Sequence, residues 1–227
     1  RRLERDLREA RSILDEIRTG PSDKVKVAVT DVDGILRGKY MHREKFLSAV
    51  SGGFGFCNVI FGWDAADVCY DGARYTGWHT GYPDAQARVD LGTFRRVPWD
   101  NNVPFFLADF VDDKGAPLGV CPRRLLTGVL ERAAAQGYSA KCGLEFEWFN
   151  FRESPQSFAQ KGHVAPEPLT PGMFGYSLLR MGQNLPFFNA LMDDMLAFGV
   201  PLEGLHTETG PGVYEAAIAF SEALEQA

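Results

Sequence analysis

The sequence predicts an α+β protein, and three observations carry that reading. Lys24–Thr30 alternates Val25, Val27 and Val29 with other residues, runs into an Asp31-Val-Asp-Gly34 turn and returns as a second strand-like run. An amphipathic helical pattern over residues 1–19 precedes that hairpin, so helix and strand patterns both occur in the chain. A third strand-like stretch, Lys141-Cys-Gly-Leu-Glu-Phe-Glu-Trp-Phe-Asn-Phe151, sets two carboxylates two residues apart in an aromatic surround.

Residues 1–19 place Leu3, Leu7, Ile13, Leu14 and Ile17 at roughly helical spacing among charges, predicting an amphipathic packing helix that Gly20-Pro21 ends. The two strands around the Asp31–Gly34 turn form a hairpin, the second covering Ile35–Met41. An Asp-x-Asp-Gly turn resembles the start of a calcium loop. The twelfth position of such a loop needs an acid and here is His42, so plain turn chemistry is preferred. A short helix follows over His42–Val50, and Phe54–Phe61 is strand-like. Asp64, Asp67 and Asp71 lie in the next loop, where they serve as turn residues or contribute to a site. Trp78, His79 and Tyr82 mark an aromatic loop, better read as a pinned surface loop than as a contact for substrate or partner.

Ala87–Arg96 reads as strand and turn, and Val103–Val111 as a strong strand closed by the hairpin-type turn Asp112–Gly115. Pro122, just after Cys121, opens a helix that runs to about Ala135. The acid-bearing strand comes next. Residues 152–172, with prolines at 155, 166, 168 and 171, read as a long loop. Asn184–Phe198 reads as a helix. The last segment reads as strand, Gly210-Pro-Gly212 turn and strand, with a helix starting near Phe220. The domains expected are a helix at 1–20, a first domain at 21–117 and a second at 118–227.

Strand alternation puts Glu145 and Glu147 on one face and Leu144, Phe146 and Trp148 on the other, where they can enter a core. Two acids on one side of a half-buried strand repel and lose hydration, and a divalent cation offsets that cost economically. Glu208 and Glu215 flank the Gly-Pro-Gly turn, which can return both to one place. Four converging carboxylates favour Mg2+ or Mn2+ over zinc, and such sites suit phosphoryl transfer.

A net charge of −6 and the lack of a basic stripe argue against nucleic acid as the partner. No apolar run is long enough to span a membrane, and no signal peptide is expected. Cys57, Cys69, Cys121 and Cys142 are scattered without a C-x-x-C pair, which disfavours a zinc site and suits the cytoplasm.

The segment Gly143-Leu-Glu-Phe-Glu-Trp-Phe149 resembles the Gly-x-Glu-x-Glu-Phe-Phe strand of the glutamine synthetase family. His206-Thr-Glu-Thr-Gly-Pro-Gly-Val-Tyr-Glu215 resembles that family's His-x-Glu … Pro-x-Gln-x-Glu segment. Val97-Pro-Trp99, Gly115-x-Pro117 with Pro122-Arg123, and Gly175-Tyr176 match in the family's order. The resemblance implies a small N-terminal β-grasp domain, then the first part of a catalytic domain with curved antiparallel strands. It implies ATP-dependent ligation of ammonia or another amine to the γ-carboxylate of glutamate through γ-glutamyl phosphate, in ring-shaped assemblies. By position, Glu147, Glu208 and Glu215 would hold the glutamate-side metal, and Glu145 would help hold the metal on the ATP phosphates. Glu203 would contact the nucleotide, and Tyr176 would line the amino-acid or ammonium end. Asp64 stands near where the family has the aspartate that deprotonates ammonium.

Val213 replaces the family's glutamine, and Thr207 replaces its second histidine. The family's ATP-site histidine and substrate-binding arginines lie downstream of the position matching Glu215. The expectation is therefore a fragment that lacks activity alone. Two other readings compete: a non-catalytic relative with a role in assembly, and an unrelated metal-dependent hydrolase.

Overall fold

The computed structural model describes residues 2–227, and side chains from residue 4 onward, so Leu3 of the expected helix face lies outside the described side chains. The chain divides into two compact units, Arg1–Ser139 and Ala140–Ala227.

The first unit opens with α1 (Arg2–Thr19). Its apolar stripe packs through Ile17, which is buried, and Ile13 and Leu14, which are partly so; Leu7 stays exposed. Strands β1 (Lys24–Thr30) and β2 (Leu36–His42) form the expected hairpin. The Asp31 carboxylate makes its turn: it accepts the N–H groups of Asp33 and Ile35, both at 2.9 Å, and pairs with Arg37 at 2.8 Å. Asp31 is fully buried, and these three donors satisfy it without a cation, as the preference for plain turn chemistry required.

Helix α2 (Arg43–Gly52) is capped by His42 and leads into β3 (Phe54–Cys57). The strand ends there, and Asn58–Phe61 turns as a 3-10 helix. β4 (Asp84–Val97) and β5 (Val103–Val111) complete a sheet in the order β2-β1-β5-β4-β3, with β1 and β5 parallel and the other pairs antiparallel. A hairpin, a helix and a parallel central pair make this the β-grasp-like arrangement. Phe46, Phe106 and Phe110 fill the core with Val25, Val27 and Val29. After Asp112–Gly115 the chain makes only an isolated bridge, Val111 to Pro117, and not a second hairpin strand. Helix α3 (Pro122–Ala135) ends the unit.

The second unit holds β6 (Lys141–Phe149), β7 (Leu202–Thr207) and β8 (Val213–Glu222) in one antiparallel sheet, ordered β6-β8-β7. Register shifts at Gly143 and Glu203 bend the sheet, as bulges do. The residues after Phe220 extend β8 to Glu222, because Ser221 and Glu222 pair with Cys142 and Lys141; the helix expected from Phe220 is confined to α7 (Ala223–Gln226). The stretch expected as a plain loop, 152–172, contains α4 (Pro155–Gln160). Ser154 and Ser157 cap it reciprocally and Pro155 sits in its first turn, a start signal masked by the surrounding prolines. Helix α5 (Leu178–Gln183), capped by Ser177, was not anticipated, while α6 (Leu185–Phe198) matches expectation.

Phe188, Leu191, Met192 and Met195 of α6 pack on the sheet face that presents Leu205, Tyr214 and Ala216. The opposite face is left for polar groups. Among the described residues, no helix is long and apolar enough to cross a membrane.

Candidate functional site

The polar face of the second sheet is built by register. Glu145 pairs with Ala217 and Glu147 with Glu215, while Phe146 pairs with Ala216 and Trp148 with Tyr214. Because Tyr214 and Ala216 face the core, the two glutamates of β6 face away from it together, as alternation predicts. On β7, His206 pairs with Glu215, so Glu147, Glu215 and His206 form one row across the three strands. Side chains directly opposite in such a row have Cβ atoms about 5 Å apart.

The half-buried setting expected for β6 is not what the structure provides. Glu145 and Glu147 are both exposed, Leu144 is 44% and Phe146 63% exposed, and only Trp148 joins the core cluster. β6 lies at the sheet edge, and the apolar residues of α6 gather over β7 and β8. Charge repulsion between the glutamates, rather than burial, is what a cation would relieve there.

Glu208 lies one residue beyond β7, and its N–H donates to the Val213 carbonyl at 2.9 Å, closing the Gly210-Pro-Gly212 turn. That turn requires left-handed backbone at Gly212, where a Cβ would stand 2.4 Å from the Asn150 carbonyl oxygen. The result brings one ligand atom each from His206, Glu208 and Glu215 within 4.8 Å of one another. Glu208 and Glu215 thus meet as expected. The third member of this tight group is His206, and Glu147 stands beside it, opposite Glu215 in the register. His206 was visible in the sequence as part of the motif but carried no assigned role; its two-residue spacing from Glu208 was the available signal.

Octahedral ligands at about 2.1 Å from a small divalent cation lie roughly 3–4 Å apart, so modest rotamer changes close this group around one. The donor set, carboxylates with one imidazole, fits such an ion.

Tyr176 covers the group. Its ring lies 4.6 Å from that of His206 at 33°, and its hydroxyl is directed to Glu208. Interaction with the Glu208 carboxylate raises the phenol above its ordinary range, with burial and the charges of Glu215 and Glu145 adding to the effect. The Thr209 N–H, 2.5 Å away, holds Glu208 below the usual carboxylate range, and the Tyr176 hydroxyl adds to this. Glu208 therefore stays an anion and Tyr176 a neutral donor over the physiological range.

Thr207 explains how an exposed tyrosine with left-handed backbone (φ 56°) is held. Thr207 is buried, its hydroxyl donates to the Phe174 carbonyl at 2.9 Å, and it accepts the Ser177 N–H at 3.0 Å. Its own carbonyl accepts the Tyr176 N–H at 2.7 Å. One threonine thus pins the turn that carries Tyr176. Val213 has a buried side chain, and its carbonyl receives the Glu208 N–H.

Glu203 is exposed at the β7 bulge, one strand position from Gly204 and Ala217. Asp64 belongs to the first unit. Its carboxylate accepts the N–H groups of Ala66 at 2.8 Å and Val68 at 3.0 Å, which makes it the organiser of its own turn.

Residues 119–227 match the family described as glutamine synthetase, catalytic domain. The chain is 54% identical over 215 residues to type-1 glutamine synthetase 2 of Dictyostelium discoideum, an alignment covering 95% of this chain and 41% of that protein. It is 34% identical over 206 residues to the glutamate–isopropylamine ligase of a Pseudomonas species, covering 90% and 45%. Among solved structures, a complex of GmaS with ADP superposes with a TM-score of 0.72 at 21% identity, covering 94% of this chain and 45% of that one. The chain spans less than half the length of these relatives.

Proposed function

This chain belongs to the glutamine synthetase family, and from that membership we propose that it supplies the glutamate-side metal centre of a ligase. The ligase joins ammonia or another amine to the γ-carboxylate of glutamate at the expense of ATP. The observation that carries the reading is the meeting of Glu208 and Glu215 with His206, and the placing of Glu147 opposite Glu215.

The reaction has two displacements. A γ-carboxylate oxygen of glutamate attacks the γ-phosphorus of ATP and ADP leaves, giving the γ-glutamyl phosphate. The amine nitrogen then attacks the acyl carbon, the C–O bond to phosphate breaks, and a proton passes from nitrogen to a base. Mg2+ or Mn2+ would be held by Glu147, Glu208 and Glu215, with Glu145 directed to a second ion on the ATP phosphates. When bound, such ions neutralise phosphoryl oxygens and fix the leaving group. The Tyr176 hydroxyl faces Glu208, whose carboxylate the Thr209 N–H holds, and its exposed ring offers a wall to the amino acid or the incoming amine. Glu203 is assigned to the nucleotide, and Asp64 to accepting the amine's proton. The whole protein assembles into rings in the cytoplasm on this reading.

The relatives leave the nucleophile open: one is named a glutamine synthetase and another a ligase for isopropylamine. The test is phosphate release by the whole protein carrying these residues, supplied with ATP, glutamate and Mg2+ and a panel of ammonia and alkylamines. Release that requires both glutamate and one amine class supports the proposal. Release that ignores glutamate, or none with any amine, overturns it.

A further inference from the structure

We infer that Arg37 is a positioning residue for Asp64: it pins the loop at 62–71 to the first sheet and so sets where the Asp64 carboxylate points. The inference rests on the reading above that Asp64 accepts the amine's proton, and it names the residue on which that role depends.

Burial does not hold this loop. Residues 65–70 are all exposed, Val68 to 60%, and Trp63 and Asp64 are only half-buried. Hydrogen bonds give the loop its shape. The Asp64 N–H donates to the Val68 carbonyl at 3.0 Å and the Tyr70 N–H to the Gly62 carbonyl at 2.8 Å. The Asp64 carboxylate accepts the Ala66 and Val68 N–H groups, both through Oδ1, so the amine's proton goes to the other oxygen, Oδ2. These bonds are internal to the loop. A turn closed only on itself moves as one body and carries its carboxylate with it.

Arg37 supplies the tie to the sheet. It stands on β2, across from Val29 of β1, and its guanidinium spends three nitrogens on three groups. Nε donates to the Asp31 carboxylate at 2.8 Å, Nη1 to the Asp67 carboxylate at 2.6 Å and Nη2 to the Asp64 carbonyl at 3.3 Å. The guanidinium carbon also lies 5.0 Å from the centre of the Trp63 ring. One side chain thus holds the residue before Asp64, Asp64 itself and the residue three positions after it. The anchor at the other end is rigid, because Asp31 is fully buried and is itself held by the N–H groups of Asp33 and Ile35. Neutralising Asp31 uses Nε alone; the contacts to Trp63, Asp64 and Asp67 serve the loop. A lysine keeps the charge but has one nitrogen and no plane to stack, so it cannot reproduce this fork.

A double-mutant cycle tests the inference, read by steady-state kinetics of the whole protein with ATP, glutamate, Mg2+ and an accepted amine. Asp64→Asn keeps an oxygen for the two N–H groups and removes the base. Arg37→Lys should lower kcat/KM for the amine about tenfold or more and leave KM for ATP and glutamate unchanged, since misplacing a catalytic group by about 1 Å costs up to about a hundredfold. Asp67→Asn should act in the same direction by less; it leaves Arg37 and Asp31 intact and keeps a residue suited to the left-handed backbone there (φ 62°). In the Asp64→Asn background Arg37→Lys should add less than about twofold, because changes that act through one group do not add. Asp67→Asn carries the same cycle if Arg37→Lys does not fold. A loss of the same size with and without Asp64, or one that raises KM for ATP and glutamate alike, marks a general structural role and overturns the inference. Unchanged amine kcat/KM in both Arg37→Lys and Asp67→Asn also overturns it. If Asp64→Asn leaves amine use unchanged, the assignment of Asp64 fails and this inference falls with it, while the metal centre is judged by its own Mn2+ titration.

Discussion

In the first unit, β1 buries Val25, Val27 and Val29 to 1% exposure or less, whereas β6 in the second unit has only Trp148 partly covered. Both strands alternate apolar with polar residues. Position in the sheet separates them: β1 lies between β2 and β5 in a five-stranded sheet, and β6 is the edge of a three-stranded one. The first sheet commits its strongest apolar face to a core with Phe46, Phe106 and Phe110. The second leaves one face to Glu145, Glu147, Glu215 and His206, which is where the chemistry is proposed. A sheet face lined with like charges cannot also be a stabilising face, so the second unit draws its packing from the opposite face, on Leu205, Tyr214 and Ala216.

Core substitutions test this comparison most strongly. Phe106 is fully buried and stacks on Phe46 and Phe94 with ring centroids 4.7 and 5.2 Å away. Phe106→Ala should cost about 3–5 kcal/mol. Phe146→Ala on the exposed strand should stay within about 0.5 kcal/mol. Chemical denaturation of both variants checks the pair, and equal losses would break the comparison.

Thr207 comes next, because it joins the stable side of the second sheet to its polar face. Thr207→Val should cost about 1–3 kcal/mol by leaving the Phe174 carbonyl and Ser177 N–H unpartnered, and Thr207→Ser should recover most of that. If the clamp positions Tyr176, the valine variant also weakens Mn2+ binding; unchanged binding would reduce Thr207 to a packing residue.

A third effect shows only in acid. Glu153 accepts from Lys161 Nζ and Ser157 Oγ, both at 2.5 Å, and from the Glu167 N–H at 2.8 Å. Lys161 first, then Ser157 and Glu167, lower its pKa from an ordinary 4.5 to about 2. A depressed carboxylate contributes stability above its unfolded value, and that contribution is lost as pH falls from about 4.5 towards 2. Melting temperature measured across this range should fall less steeply in Glu153→Gln than in the unmodified protein. Parallel slopes would show that the loop at 153–167 does not depend on the Glu153 charge.

Much of the first unit was legible in the sequence because valine alternation and the Asp31–Gly34 turn act locally. β1 and β5 fall on their expected residues. The pairing of Glu145 with Glu147 on one face was legible for the same reason: alternation needs no tertiary knowledge. Which apolar residues of β6 are buried was not, because that depends on where α6 packs. Helix α5 was missed because Leu178–Gln183 is too short to display a period, and its Ser177 cap is an ordinary loop residue in sequence. The convergence of Glu208 and Glu215 followed from the Gly-Pro-Gly turn, but the place of His206 between them and Tyr176 depends on strand register, which no single segment encodes. Thr207, noted only as a departure in the motif, shows its role once the Phe174–Ser177 turn is seen to hang from it.

The most direct measurement is a Mn2+ titration of the protein beside Glu147→Gln, Glu208→Gln, Glu215→Gln and Glu145→Gln. The proposed centre predicts one site that the first three variants each weaken by about tenfold or more and that Glu145→Gln alters by less than about twofold. Binding that depends on Glu145 as much as on Glu215, or on none of the four, would contradict it.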